Sequence, residues 1–142
     1  MILIIEGIFI GLNSTILSNL YQQRMKQNLK QDNILIKRLA EDYRHDKYKD
    51  VFSESDLRFT MIDYDGNVVF DSKNVDREEH MDNHLKREEV QEAINGEEGF
   101  AIRKSKTLGY QLAYYTTSFT NDFGEKYIIR TSSDYSKEIR QI

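Results

Sequence analysis

The chain has 142 residues, a formal net charge of −4, no cysteine and no proline. That length suits one domain with a real core, and the acidic balance argues against a nucleic-acid partner, which needs a basic face. The missing cysteines exclude a disulfide framework, thiolate chemistry and a Cys metal site, and turns must rest on Gly, Asn and Asp.

Residues 1–17 contain the most apolar stretch, ILIIEGIFIGLNSTIL from Ile2, interrupted by Glu6 and Asn13. It falls short of the ~20 apolar residues of a complete span and lacks the basic start of a secretory signal. It reads as the outer end of a transmembrane helix whose beginning lies outside this sequence. A helix buried against a partner is the alternative.

Residues 18–43 continue in helical period, with Leu17, Leu20, Tyr21, Met25, Leu29, Ile36, Leu39 and Tyr43 recurring at spacings of three, four or seven. No glycine or proline falls between Gly11 and Gly66. A helix of about 40 Å outruns a small domain, so a homodimer seam is expected on Leu20, Met25, Leu29 and Ile36. The other reading lays an amphipathic helix along its own sheet, and different turns can do different things.

Residues 44–133 read as the folded domain. Residues 44–56 form a polar connector anchored by Tyr48, Val51 and Phe52. Residues 57–63 and 67–72 are strands, and Asp65-Gly66 between them predicts a type I′ hairpin turn. Asp63, Asp65 and Asn67 have the spacing of a calcium loop but lack its glycine at position 6 and its closing glutamate. From Met81 the pattern of Leu85, Val90, Ala93 and Ile94 predicts a short helix, stopped by Asn95-Gly96.

A strand over Gly99–Ile102 then leads into Arg103-Lys104-Ser105-Lys106-Thr107. Residues 111–119 and 126–131 are the last strands, joined by a turn at Asn121-Asp122-Phe123-Gly124. Ser132-Ser133 offers a helix cap, and residues 134–142 begin a helix leading to a second transmembrane segment. The whole is an α+β domain, a five-stranded antiparallel sheet with helices on one face.

Arg103, Lys104 and Lys106 bring three cations to a strand end and could clamp a carboxylate or phosphate; a solvated basic loop facing the acidic segment 76–92 is the plain reading. His80 and His84 lie one helical turn apart beside Glu79 and Asp82, a conceivable metal pair, but ordinary surface histidines are the better reading and no metal is assigned. Tyr114 and Tyr115 point to opposite faces of one strand, so one is core or pocket wall and the other outward.

The segments RFTMIDYDGNVVFDS, MDNHLKREEVQEAINGEEGFAIRKSKTLG and LAYYTTSF, in that order, resemble the extracytoplasmic sensor region of PhoR-type histidine kinases. The resemblance runs from Arg58 to Thr131, about half the chain, and implies a PAS-like fold, a single Cache or PDC domain. Glu88 and Ser118 stand where family members often carry proline; the acidic pair Glu88-Glu89 partly offsets the first loss at the helix start.

The resemblance also implies an extracytoplasmic, membrane-tethered signal input in a bacterial membrane, linked to phosphate limitation. Related citrate- and dicarboxylate-sensing kinases hold carboxylates with basic residues at this strand end and a His before the helix; His84, Lys104 and Lys106 would correspond, with Arg103 as neighbour and Tyr114 as a possible wall. The partner is then a small anion or an extracytoplasmic protein, with no cofactor. A ligand-free dimerisation module is the second reading. No kinase core, nucleophile–base pair or metal signature supports an enzyme.

Overall fold

The computed structural model describes residues 2–41, 57–73, 82–105 and 109–136. The elements are α1 (Ile2–Leu39), β1 (Arg58–Asp63), β2 (Val68–Asp71), α2 (Glu88–Ile94), β3 (Gly99–Lys104), β4 (Gln111–Thr120) and β5 (Lys126–Asp134). The strands make one antiparallel sheet in the order β2-β1-β5-β4-β3. This is the expected five-stranded sheet, with its long N-terminal helix and a short helix before the third strand. The connector with Tyr48, Val51 and Phe52, the His80 position, Lys106 and residues 137–142 lie outside the described residues.

α1 is one uninterrupted helix of 38 residues, about 57 Å long at 1.5 Å per residue. Its two halves behave differently. Every large apolar side chain described from Ile2 to Leu20 is at least 50% exposed, and by length and composition the helix suffices to cross a membrane. From Met25 onward a stripe of Met25, Leu29, Asn33, Ile36 and Ala40 is buried at spacings of three and four.

That stripe packs on the chain's own sheet. Met25 and Leu29 join Ala113, Tyr115 and Tyr135, while Ile36 and Ala40 join Phe59, Met61, Phe70, Phe119 and Ile129. The expected dimer seam is therefore corrected at Met25, Leu29 and Ile36, which are 1–3% exposed within a single chain. Periodicity reports which face of a helix is buried, not what buries it. Only Leu20, 55% exposed, remains on the surface.

Polar contacts fix the register of helix on sheet. The Asn33 side chain donates to the Ile129 carbonyl at 2.9 Å and accepts from the Thr117 hydroxyl at 2.6 Å. The Thr131 hydroxyl donates to the Leu29 carbonyl at 2.8 Å. These bonds give buried polar groups their partners and pin α1 at one position along β4 and β5.

The helices lie on opposite faces of the sheet, not on one. Odd-numbered residues of β1, β4 and β5 meet α1, whereas Ile62 and Ile128 meet Val90 and Ala93 of α2. With both faces covered, neither tyrosine is outward: Tyr115 is 1% and Tyr114 4% exposed.

Two local expectations also change. The β1–β2 connection is not a type I′ turn, because Gly66 (φ 87°) has positive φ and no described non-glycine residue does. Instead one Asp63 carboxylate oxygen accepts from the N–H groups of Asp65 and Asn67, at 3.0 and 2.9 Å. β5 runs through Ser132 and Ser133 to Asp134, since β4 pairs with it as far as Leu112–Asp134; the two serines do not cap a helix.

Leu29→Asp should abolish the cooperative thermal transition, because it buries an unpaired charge under the sheet. A seam residue would instead yield a folded monomer. Gln31→Ala, on the exposed side of α1, should stay within about 0.5 kcal/mol of the wild-type stability.

Candidate functional site

The α2 side of the sheet carries a different kind of core. Asn83 shapes its approach: the Asn83 side chain accepts from the Leu85 N–H at 2.9 Å and donates to the Asp65 carbonyl at 2.9 Å and Asn67 Oδ1 at 3.1 Å. Such side-chain bonds compete with helix, so residues 82–87 form a turn and α2 starts only at Glu88, later than the Met81 start expected. The His84 N–H donates to the Gly66 carbonyl at 2.8 Å, closing the segment onto the β1–β2 turn.

Starting the helix at Glu88 aims Glu89 into the sheet, where it is 0% exposed. It is therefore a core ion and not the surface partner for the helix dipole that the pair Glu88-Glu89 suggested. Gly99 of β3 passes directly beneath: a Cβ there would strike the Thr116 hydroxyl and the Glu89 carbonyl. The absent side chain lets the Thr116 hydroxyl donate to that carbonyl and seats the first turn of α2 on the sheet.

Three arginines surround the carboxylate. Arg103 grips both oxygens, with Nη1 to Oε2 at 2.6 Å and Nη2 to Oε1 closer still. Arg130, whose side chain is 3% exposed, reaches Oε1 at 3.4 Å. Both guanidiniums lie within cation–π range of the Tyr114 ring, at 4.4 and 4.6 Å from its centroid. Arg130 also donates to the Thr60 hydroxyl at 3.5 Å, which in turn donates to buried Asp71 at 3.2 Å. Arg87 is half-buried and its charge is felt by His84 and Arg130.

The electrostatics follow from this packing. Burial pushes the Glu89 carboxyl up, but the Arg103 bonds and the charges of Arg103 and Arg130 outweigh it and hold it below the ordinary range. Burial lowers Arg130 to about 10, partly offset by Glu89, so it stays charged at neutral pH. Burial, and then the charges of Arg130 and Arg87, lower His84 to about 3. His84 is thus a neutral imidazole whose Nδ1 lies 2.6 Å from the Asp82 carbonyl, a geometry that makes Nδ1–H the donor. It is 3% exposed and not the surface histidine expected.

Of the expected site residues, the structure brings together Arg103, Tyr114 and His84. Lys104 is exposed and falls on the Phe100 and Ile102 side of β3, because adjacent strand residues face opposite ways. The basic residues therefore do not converge as a set: Arg103 turns inward to Glu89 and Lys104 outward to solvent. Glu89, Arg130 and Arg87 were not expected. The available signals were a carboxylate beside Val90 and Ala93 on the apolar face of α2, and a charge directly after the apolar run Tyr127-Ile128-Ile129.

No family model matches the chain, and no curated protein matches it. Among solved structures it is similar to the DcuS sensor domain of E. coli, at 15% identity and TM-score 0.54, covering 82% of this chain and 96% of that one. A methyl-accepting chemotaxis protein from Vibrio parahaemolyticus aligns at 12% identity and TM-score 0.50 over 89% of this chain and 96% of that one. A PAS domain of an HTR-like protein from Haloarcula marismortui aligns at 17% identity and TM-score 0.40 over 62% and 94%. The fold, a five-stranded antiparallel sheet with a long N-terminal helix, is PAS-like and is shared with the DcuS sensor domain.

Two predictions arise from the cluster. Arg103→Met leaves Glu89 charged, buried and underpaired, and should cost about 3 kcal/mol; this is the low end for a broken buried pair, because Arg103 is 31% exposed. Lys104→Ala should change stability by less than about 0.5 kcal/mol, and chemical denaturation of both variants checks the contrast.

The second prediction concerns acid. The depressed pKa of His84 contributes stability that is full above its ordinary value of 6.5 and is lost as pH falls toward about 3. Stability should drop by about 1.4 kcal/mol per pH unit below 6.5, with Glu89 adding further loss in stronger acid. Urea melts from pH 7 to pH 4.5 should show that slope in the wild type and a much flatter one in His84→Asn.

Proposed function

We propose that the chain is a signal-input domain of a membrane-bound receptor, held on the extracytoplasmic side and working through α1. The observation that carries this reading is the continuity of α1. One helix is keyed to the sheet by Asn33 and by the Thr131–Leu29 bond, and the same helix extends as an exposed apolar segment suited to a bilayer. A shift of the sheet face therefore moves the membrane segment as a rigid extension.

The wiring to the charged cluster is short. Ile129 and Thr131 of β5 hold α1, while Arg130 between them reaches Glu89 on the opposite face. Any change in how Arg130 is paired acts on the strand that anchors α1. The likeness of fold to the DcuS sensor domain and to a chemotaxis protein supports a sensing role. A histidine-kinase context of PhoR type, and its link to phosphate limitation, rests on the sequence resemblance. In a homodimer the α1 helices meet through the exposed side bearing Leu35 and Leu39, 49% and 46% exposed, and not through the buried stripe.

A second reading, a ligand-free dimerisation and protein-contact module, is favoured by one observation: the arginine cluster already holds a carboxylate from its own chain.

Insertion tests the coupling in the intact receptor. Two alanines after Leu20 rotate the apolar half by about 200° relative to the sheet, and four alanines by about 40°. The two-residue insertion should lock or invert output while the four-residue insertion keeps the response. An unchanged response in both variants would sink the reading of α1 as a rigid connection.

A further inference from the structure

We propose that Asn13, in the apolar half of α1, pairs with the same residue of a second copy of this chain, and that the two α1 helices meet in the membrane along the face carrying Glu6, Asn13 and Leu20. The idea rests on the reading of α1 as a membrane helix and supplies the place where two copies touch.

Two polar side chains stand where lipid would surround them. Counted down from Leu20 at 1.5 Å per residue, Asn13 lies about 10 Å and Glu6 about 21 Å into the apolar half. Thr15 nearby is satisfied by its own helix, donating to the Gly11 carbonyl at 3.0 Å. The Asn13 amide and the Glu6 carboxylate make no such bond among the described residues, and both are exposed. Hydrocarbon offers neither donors nor acceptors, so both residues must face protein, as polar and ionisable residues of spanning helices do.

The geometry of α1 selects a second copy as that protein. Spaced seven apart, Glu6, Asn13 and Leu20 fall within about 40° of one another, and Asn13 stands about 160° round the helix from Leu29. They therefore continue the side of α1 that faces away from the sheet, since Met25, Leu29 and Ile36 fill the sheet side. Leu35, 49% exposed and about 40° round from Asn13, carries the same side beyond the membrane. The chain's own C-terminal exit does not serve Asn13: Tyr135, just after β5, packs on Met25 and Leu29, on the other side of α1. A seven-residue spacing is that of a two-stranded parallel seam, in which each residue meets its own copy. A carboxamide is both donor and acceptor, so Asn13 completes its bonds across a two-fold axis. One such polar position also fixes the register of the two helices.

The chain has no cysteine, so single substitutions report helix contacts directly, as disulfide-linked dimers of the full chain formed by oxidation in lipid vesicles. Ile10→Cys, Leu17→Cys and Leu20→Cys should cross-link. Gly11→Cys, Thr15→Cys and Ser18→Cys, on the sheet side of α1, should give at least about tenfold less, because their Cα atoms lie beyond disulfide reach. Asn13→Leu keeps the size and removes the amide; it should weaken dimerisation about threefold or more, the scale of one interhelical amide bond in lipid, read by energy transfer on dilution in the vesicles. All these positions are exposed, so each variant keeps the sheet domain intact. Cross-linking that peaks on Gly11, Thr15 and Ser18, equal cross-linking at all six positions, none at any, or an Asn13→Leu variant as dimeric as wild type overturns the proposal. Because no receptor output is read, failure here is separable from failure of the α1 coupling.

Discussion

The Glu89 carboxylate, buried between Arg103 and Arg130, is the interaction on which the α2 side of this domain depends. An isolated buried carboxylate would be prohibitive, and its arginines would be little better off without it. Their mutual pairing makes the position of each conditional on the others. Glu89 reaches the cluster only because the Asn83 turn delays the start of α2, and because Gly99 lets the first turn sit against β3. Arg103 reaches it because odd-numbered residues of β3 face α2. Small changes in turn chemistry would strand a charge.

The two faces of the sheet thus divide the work. Toward α1 the core is apolar and stitched by a few neutral hydrogen bonds at Asn33, Thr117 and Thr131, an arrangement that gives a fixed register. Toward α2 it is ionic, with donors left over on Arg130. β5 belongs to both: Ile129 and Thr131 hold α1 while Arg130 faces Glu89. Strand alternation therefore places Arg130, which pairs with Glu89, between the two residues that hold α1. The ionic cluster and the helix contacts are thus neighbours along one strand.

Much of the architecture was legible in the sequence. Alternation and turn residues marked five strands, and unbroken helical period marked α1. What buries each face was not legible. The stripe Met25, Leu29 and Ile36 fits a coiled partner and a sheet equally well, because both demand apolar residues at spacings of three and four. The site was half legible for the same kind of reason. Arg103, His84 and Tyr114 were found as residue types near a strand end and a helix start. Lys104 was misplaced because a run of cations in sequence alternates across a strand in space. Glu89 was read only as a charge serving the helix start, because a start about two turns later than Met81 was invisible until the bonds of Asn83 were known. Arg130 hid in a run whose periodicity said only that the strand was central.

The most direct test is a double-mutant cycle on Glu89→Gln and Arg103→Met, read by equilibrium denaturation of the full chain. If the carboxylate and the guanidinium depend on each other as described, the two losses are far from additive. The coupling should then be about 2 kcal/mol or more. A coupling below about 0.5 kcal/mol would mean that the two charges are independently solvated, and the account of the α2 side as an ionic core would be wrong.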